Sequence, residues 1–130
     1  MNRAALLIAV AVLAPSVAAR PSECARFDGA VILSEDGVFL GRLSDQYDEK
    51  SVFNKFGTHG NRFAANSIWN RFGSYGSEFS TKSPMNKFST EPPYLIVEGK
   101  VIARLTKNEF LPGAVDPVIL AVACYGYEPE

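Results

Sequence analysis

The chain has few of the residues that most often bind metals or act in nucleophilic catalysis. Its 130 residues include one histidine, two cysteines and one tryptophan. A Ser-His-Asp triad or a histidine-based metal site would therefore depend on His59 alone. The sequence also lacks a Gly-x-Ser-x-Gly turn, a phosphate-binding loop and a dinucleotide fingerprint. We therefore expect no catalytic residue, no metal and no cofactor, and we predict that the protein is not an enzyme.

Neither sign of charge dominates the chain. There are 13 basic and 14 acidic residues, and the formal net charge is −1 at pH 7. A balance of this kind gives no strong overall field to attract a polyanion or an anionic membrane. We therefore expect no nucleic acid among the partners.

Long apolar runs are confined to the start of the chain. Residues 4–14 are apolar, Arg3 precedes them, and small residues at 17–19 follow. This order is typical of a secretory signal peptide, and the run is shorter than the roughly 20 residues that span a bilayer. We predict a signal peptide at 1–19, a single globular domain at 20–130 and no stable membrane insertion after cleavage. The predicted location is periplasmic or extracellular.

The two cysteines, Cys24 and Cys124, lie near the two ends of the predicted mature domain. An even number of cysteines in an exported protein favours a disulfide. Two alternatives are a lipid anchor at Cys24, against which the charged Pro21-Ser22-Glu23 argues, and a reactive pair with His59. We predict the disulfide Cys24–Cys124, which would bring the two ends of the domain together.

Two segments have the pattern of β-hairpins. Residues 30–33 and 38–43 are apolar runs around an Asp-Gly turn, and residues 94–97 and 101–106 surround Glu98-Gly99-Lys100. We predict one small antiparallel sheet built from both hairpins. Residues 117–123 suit a helix started by Asp116 or a strand, and their β-branched content favours the strand.

Residues 51–90, between the hairpins, repeat with a period of 16 residues. Serine, asparagine, a basic residue and phenylalanine recur in register, as Ser51, Asn54, Lys55 and Phe56, then Ser67, Asn70, Arg71 and Phe72, then Ser83, Asn86, Lys87 and Phe88. Serine suits a helix N-cap, and Pro84 suits the first helical position. Gly57 and Gly73 suit a left-handed helix end. We predict a central block of short helical turns packed on the sheet, in an α+β fold.

Two apolar positions of each unit are candidates for the core. Phe53, Trp69 and Met85 share one position, and Phe56, Phe72 and Phe88 share the other. Large apolar residues are usually buried, so we predict that both positions pack against the sheet.

Four residues of the same block are candidates for binding a ligand. His59 and Tyr75 share a position between two glycines, and Arg62 and Arg71 belong to a block with five basic residues and one acid. A basic surface with interleaved aromatics could bind an acidic polymer or stack on sugar rings. The alternative is that these charges form an ordinary solvated surface.

The unit Ser-x-Φ-Asn-[Lys/Arg]-Phe-Gly-x-x-Gly-x-x-Phe resembles that of a group of small exported bacterial proteins. They carry serial Ser-x-x-Asn-x-Tyr-Gly-x-Tyr-Gly-Ser repeats and have no assigned function. The resemblance covers residues 30–120, with phenylalanine where tyrosine is usual and His59 where the first unit would have tyrosine. It implies export and a single domain, and no particular activity.

We therefore expect an exported, non-enzymatic domain that binds a cell-envelope polysaccharide or a secreted protein through the repeat block. One alternative is a hydrolase of an envelope polymer, with His59 or a carboxylate pair as the catalytic group. Another is an inhibitor or immunity-type protein that uses the block as its interface.

Overall fold

The computed structural model describes residues 20–130. The predicted signal peptide lies outside the described residues. From residue 20 onward, no helix has the length and apolar content needed to cross a membrane. The elements, in chain order, are a 3-10 helix Ser22–Phe27, β1 Val31–Leu33, β2 Phe39–Arg42, β3 Tyr94–Val97, β4 Lys100–Leu105, β5 Ala114–Val115 and α1 Pro117–Tyr125.

The strands form one five-stranded sheet in the order β2-β1-β3-β4-β5. Both predicted hairpins are confirmed, since β1 pairs antiparallel with β2, and β3 with β4. The first strands of the two hairpins also pair antiparallel, with Ile32 opposite Leu95. The prediction of a purely antiparallel sheet is wrong at one edge, because the short strand β5 lies parallel to β4. The fold is therefore α+β with a mixed sheet.

The turn between β3 and β4 is set by its two central residues. Glu98 has a φ of 51° and Gly99 a φ of 77°. Positive φ at both central positions is the geometry of a tight hairpin turn that matches the twist of the strands. This turn fixes the register in which Val97 pairs with Lys100.

The region 51–90, which we call the turn block, contains neither a helix nor a named strand in the described structure. The prediction of short helices there is therefore wrong. The backbone instead makes a succession of turns, in which an N–H donates to the carbonyl oxygen three residues earlier. In one unit, Asn54 donates to Ser51 at 3.2 Å and Gly57 donates to Asn54 at 3.0 Å.

Side chains stabilise these turns and take the place of helical hydrogen bonds. The hydroxyls of Ser51, Ser67 and Ser83 each accept a bond from the backbone N–H two residues later, at 3.0 to 3.1 Å. All three serines are completely buried. Serine and asparagine favour such local bonds over a continuing helix, and this explains why the sequence forms turns here.

The glycines of the turn block are needed for close approach of the chain to itself. The predicted left-handed conformation of Gly57 and Gly73 is wrong, since neither has a positive φ. A Cβ atom at Gly57 would lie 2.8 Å from the oxygen of Glu49, and one at Gly60 would overlap the main-chain oxygen of Asn54. Any larger residue would push successive turns apart.

Residues 117–123 belong to the helix α1, and the preference for a strand is wrong. The Asp116 side chain accepts hydrogen bonds from the N–H groups of Val118 and Ile119 at 2.8 and 3.2 Å. Pro117 occupies the first turn, and Gly126 ends the helix in a left-handed conformation. These capping residues decide in favour of the helix, because the apolar run itself fits either structure.

One core joins the sheet, the turn block and α1. The sheet contributes Ile32 and Leu40, the turn block Val52 and Trp69, and α1 Leu120, all of them buried in one cluster. The predicted disulfide Cys24–Cys124 is confirmed, with 5.4 Å between the two Cα atoms. It ties α1 to the 3-10 helix.

Candidate functional site

Seven aromatic side chains lie on the surface with little cover. Their exposed fractions run from 75% to 99%, and the residues are Tyr47, Phe56, Phe63, Phe72, Phe79, Phe88 and Phe110. The prediction that Phe56, Phe72 and Phe88 pack in the core is therefore wrong. The other predicted position is confirmed, because Phe53 and Trp69 are buried and Met85 packs partly buried against the core.

The error has a geometric cause. In a helix, residues three apart lie on one face, so Phe53 and Phe56 would both point at the sheet. In the turn block the chain reverses direction within those three residues, since Gly57 donates its N–H to the Asn54 carbonyl. Phe53 therefore points inward, and Phe56 lies at an outer corner.

Every exposed aromatic is held by the same local hydrogen bond. Its backbone N–H donates to the side-chain oxygen of the residue two positions earlier, at 2.8 to 3.2 Å. The seven acceptors are Asp45, Asn54, Asn61, Asn70, Ser77, Asn86 and Asn108. We call this arrangement the outer turn. It presents an aromatic ring to solvent seven times between residues 45 and 110.

The residue between the acceptor and the aromatic differs between the outer turns and the turns that face the core. In the outer turns it is long and polar, as in Gln46, Lys55, Arg62, Arg71, Glu78, Lys87 and Glu109. In the turns that face the core it is apolar, as in Val52, Ile68 and Pro84. An acceptor, a long polar residue and an aromatic are thus the sequence signal of an exposed ring. Reasoning from a helical period missed this signal.

Two of the predicted binding residues, Arg62 and Arg71, contact the same residue, Glu130. Arg62 Nη1 lies 2.9 Å from Glu130 Oε2, and Lys55 Nζ lies 3.7 Å from Glu130 Oε1. Arg71 donates to the main-chain oxygen of Glu130 at 3.3 Å. We call these three basic residues the cation cluster. The Glu130 carboxylate partly neutralises the positive charge of the turn block.

Two grooves flank this cluster, and Trp69 and Glu130 line both of them. The larger, with a volume of about 580 Å³, is also lined by Arg71, Phe72 and Phe79. The smaller, with a volume of about 130 Å³, is lined by the cation cluster residues Lys55 and Arg62 and by Phe63 and Tyr127. Exposed rings and cations therefore share one continuous region beside Trp69.

His59 lies elsewhere, against the sheet. Its ring meets the Phe39 ring edge-on, with the centroids 4.9 Å apart. Its Nδ1 is enclosed, without a hydrogen-bond partner among the described residues. Burial, and secondarily the charge of Lys50, lowers the pKa of His59 below its usual value. In this position the imidazole packs as a neutral ring.

Tyr75 is buried and fastens the turn block to the first hairpin. Its hydroxyl donates to Asp36 Oδ2 at 2.9 Å, and Lys82 Nζ lies 3.1 Å from the same oxygen. Burial raises the pKa of the Tyr75 hydroxyl, and the bond to Asp36 raises it further. Neither Tyr75 nor His59 lines the two grooves. The four predicted binding residues are therefore split into a surface pair and a structural pair.

Two acids that could form a catalytic carboxylate pair, Glu35 and Asp48, are engaged in hydrogen bonds within the protein. Glu35 accepts hydrogen bonds from Tyr94 and Arg104, and Asp48 accepts one from Ser44. Over residues 20–130, no three His, Cys, Asp or Glu side chains are grouped as a metal site. The exposed rings and the cation cluster thus remain the most distinctive surface of the described chain.

No protein-family model, curated protein or solved structure matches the chain.

Proposed function

We propose that the protein is an exported, non-enzymatic binding domain that holds a cell-envelope polysaccharide against the exposed aromatic rings. The observation that supports the proposal is the outer turn, which displays a ring seven times with one local geometry. Export rests on the predicted signal peptide, and the disulfide fits an oxidising compartment.

Exposed rings of this kind do not contribute to the stability of the fold. Phe56 and Phe72 are exposed almost completely, so they bury little apolar surface in the folded chain. Large apolar groups grouped on a surface are typical of interaction sites. A purely solvated surface would have no need for an aromatic residue at every outer turn.

The arrangement favours a polysaccharide over a protein partner. The centre of a protein interface is a continuous apolar patch with few charged residues. Here each ring follows a long polar side chain, such as Lys55 before Phe56 or Glu78 before Phe79. A sugar ring offers an apolar face that covers one aromatic ring, while its hydroxyl groups reach the polar neighbours.

Sedimentation with insoluble polysaccharides tests the proposal. Purified protein is mixed with peptidoglycan sacculi or with chitin, and the bound fraction is measured. We expect the triple variant Phe56→Ser/Phe72→Ser/Phe88→Ser to bind at least about tenfold more weakly, since each ring contact contributes roughly 0.5–1.5 kcal/mol. Its melting temperature should not fall, because the three rings are exposed.

The matched control is Thr58→Ala/Ser74→Ala/Thr90→Ala, which changes three exposed residues of the same units without touching a ring. It should bind like the unchanged protein. Equal binding by the folded phenylalanine variant would rule out the rings as the binding surface. Failure of the unchanged protein to bind any of the polysaccharides would reject the proposed ligand.

A further inference from the structure

Three basic side chains from separate turns converge on Glu130, and this convergence indicates the chemistry of the ligand. We propose that the cation cluster of Lys55, Arg62 and Arg71 is a subsite for the carboxylate of an acidic polysaccharide. Glu130 occupies this subsite in the free protein, and the ligand displaces it. The inference rests on the proposed function and names the ligand class within it.

The geometry of Glu130 shows that the subsite fits a carboxylate. Its two carboxylate oxygens each face a different cation, Arg62 at 2.9 Å and Lys55 at 3.7 Å. Arg71 approaches from the next unit and donates to the main-chain oxygen at 3.3 Å. A ligand carboxylate placed between these side chains would lie within reach of all three cations.

The contacts of Glu130 are weak enough to exchange. The side chains of Lys55, Arg62 and Glu130 are 52%, 51% and 57% exposed. Ion pairs with this exposure contribute little to stability, since water and salt screen them. An external carboxylate can therefore replace Glu130 without breaking the core.

The segment that carries Glu130 is anchored at Tyr127, and the residues after Tyr127 have few contacts that would hold them. Tyr127 is fixed, because its N–H donates to Ala121 at 3.0 Å and its ring stacks on Trp69 with the centroids 5.2 Å apart. In residues 128–130, by contrast, the described backbone makes one hydrogen bond, which Arg71 donates. Glu130 can leave the cation cluster while Tyr127 stays in place.

The groove beside the cluster has the dimensions and lining for a sugar chain. Its volume of about 580 Å³ is within the usual range for ligand pockets. Phe72 and Phe79 line it together with Arg71 and Trp69. A sugar stacked on a ring in this groove would place a carboxylate substituent next to the cation cluster. Sugars of the uronic acid type have this chemistry.

Titration calorimetry in low-salt buffer with two oligosaccharides tests the inference. Trigalacturonate has a carboxylate on each sugar, and chitotriose is neutral. We expect Arg62→Ala/Arg71→Ala to bind trigalacturonate at least about tenfold more weakly and to lose much less affinity for chitotriose, which has no carboxylate. Glu130→Gln should bind trigalacturonate several-fold more tightly, because the competing carboxylate is gone. Binding should also shift the emission of Trp69, the one tryptophan of the chain.

Lys100→Ala is the control, because Lys100 is an exposed basic residue of the β3–β4 hairpin and lies outside the cation cluster, the outer turns and both grooves. It should leave trigalacturonate affinity unchanged. The inference would be overturned if the double arginine variant and Glu130→Gln both bound trigalacturonate with the affinity of the unchanged protein. If the protein binds chitotriose in that case, the proposed function is kept and only the carboxylate subsite is rejected. If neither sugar binds, both are rejected.

Discussion

Asn70 shows how one side chain shapes a turn of this protein. Its Oδ1 accepts the N–H of Phe72 at 3.0 Å, and its Nδ2 donates to the carbonyl oxygen of Ala64 at 3.0 Å. Asn54 and Asn86 make the corresponding pair of bonds in their own units. A single carboxamide therefore presents the ring of the outer turn and closes the chain across six residues.

Replacement of Asn70 by alanine should destabilise the fold and disturb the outer turn of Phe72. The variant leaves one backbone N–H and one carbonyl without their partners, so we expect a loss of about 1–3 kcal/mol in the free energy of unfolding. Urea denaturation followed by circular dichroism measures this loss.

Asn70→Asp separates the two bonds, because aspartate keeps the acceptor for Phe72 and loses the donor to Ala64. It should lose less stability than Asn70→Ala. The exposed Ser74→Ala serves as a neutral control in the same unit. A free energy of unfolding for Asn70→Ala within 0.5 kcal/mol of the unchanged protein, a roughly neutral surface effect, would contradict this role.

At the scale of elements, Asp36 connects the turn of the first hairpin to the turn block. Its carboxylate accepts hydrogen bonds from Ser34, from the Tyr75 hydroxyl and from Lys82. These three bonds, of which that from Ser34 has the largest effect, lower the pKa of Asp36 from 3.8 to about 2. The ionised form is therefore the one that holds the two elements together.

This carboxylate should make the fold sensitive to acid. Because its pKa is lower in the folded than in the unfolded chain, its stabilisation is complete above about pH 4 and is lost as the pH falls towards 2. We expect the difference in unfolding free energy between the unchanged protein and Asp36→Asn to be larger at pH 6 than at pH 2. Urea denaturation at both pH values measures it.

Tyr75→Phe is the companion variant, since it keeps the buried ring and removes one of the three bonds. In this variant the unfolding free energy should depend on pH less than in the unchanged protein, but the dependence should not vanish. A difference between the unchanged protein and Asp36→Asn that stays constant from pH 6 to pH 2 would show that the ionised carboxylate does not fasten the elements.

Sequence patterns predicted correctly the elements in which the turn residues determine the local structure. Glu98-Gly99 and the Asp-Gly turn of the first hairpin specify their geometry locally, so both hairpins could be predicted. Residues 117–123 are apolar throughout, and only the capping by Asp116 and Gly126 separates helix from strand. The strand β5, Ala114–Val115, is too short to have a pattern of its own.

At the scale of the whole molecule, long-range contacts bring the proposed binding surface together. Arg71 and Glu130 are 59 positions apart, so no local pattern predicts that they meet. Sequence reasoning identified Arg62 and Arg71 as binding candidates from charge alone, and it had no means of finding Glu130 or the surrounding grooves. The exposed rings, by contrast, follow from a local signal that a helical interpretation concealed.

The same long-range organisation depends on the placement of α1 and the residues after it. Tyr125 stacks on Phe53 with the ring centroids 4.4 Å apart, and its hydroxyl donates to Asp28 at 2.8 Å. The disulfide Cys24–Cys124 fixes the same region across a separation of 100 residues. The stack on Phe53 thus holds α1 against the turn block, and the disulfide and the Asp28 bond hold it against the 3-10 helix.

Removal of the disulfide should therefore weaken the fold and leave its surface intact. For a loop of about 100 residues, the chain-entropy model gives a loss of up to about 4–5 kcal/mol in unfolding free energy. We expect a loss of this order in Cys24→Ser/Cys124→Ser, measured by guanidinium denaturation. Binding to chitin below the melting temperature should persist, because local hydrogen bonds hold the outer turns.

Two comparisons make the measurement specific to the disulfide. The unchanged protein with dithiothreitol should match the stability of the double serine variant, and the reductant should have no effect on that variant. A stability loss of less than about 1 kcal/mol would show that the Tyr125 contacts hold α1 without the disulfide. Loss of chitin binding in a folded double variant would instead show that the outer turns depend on the position of α1.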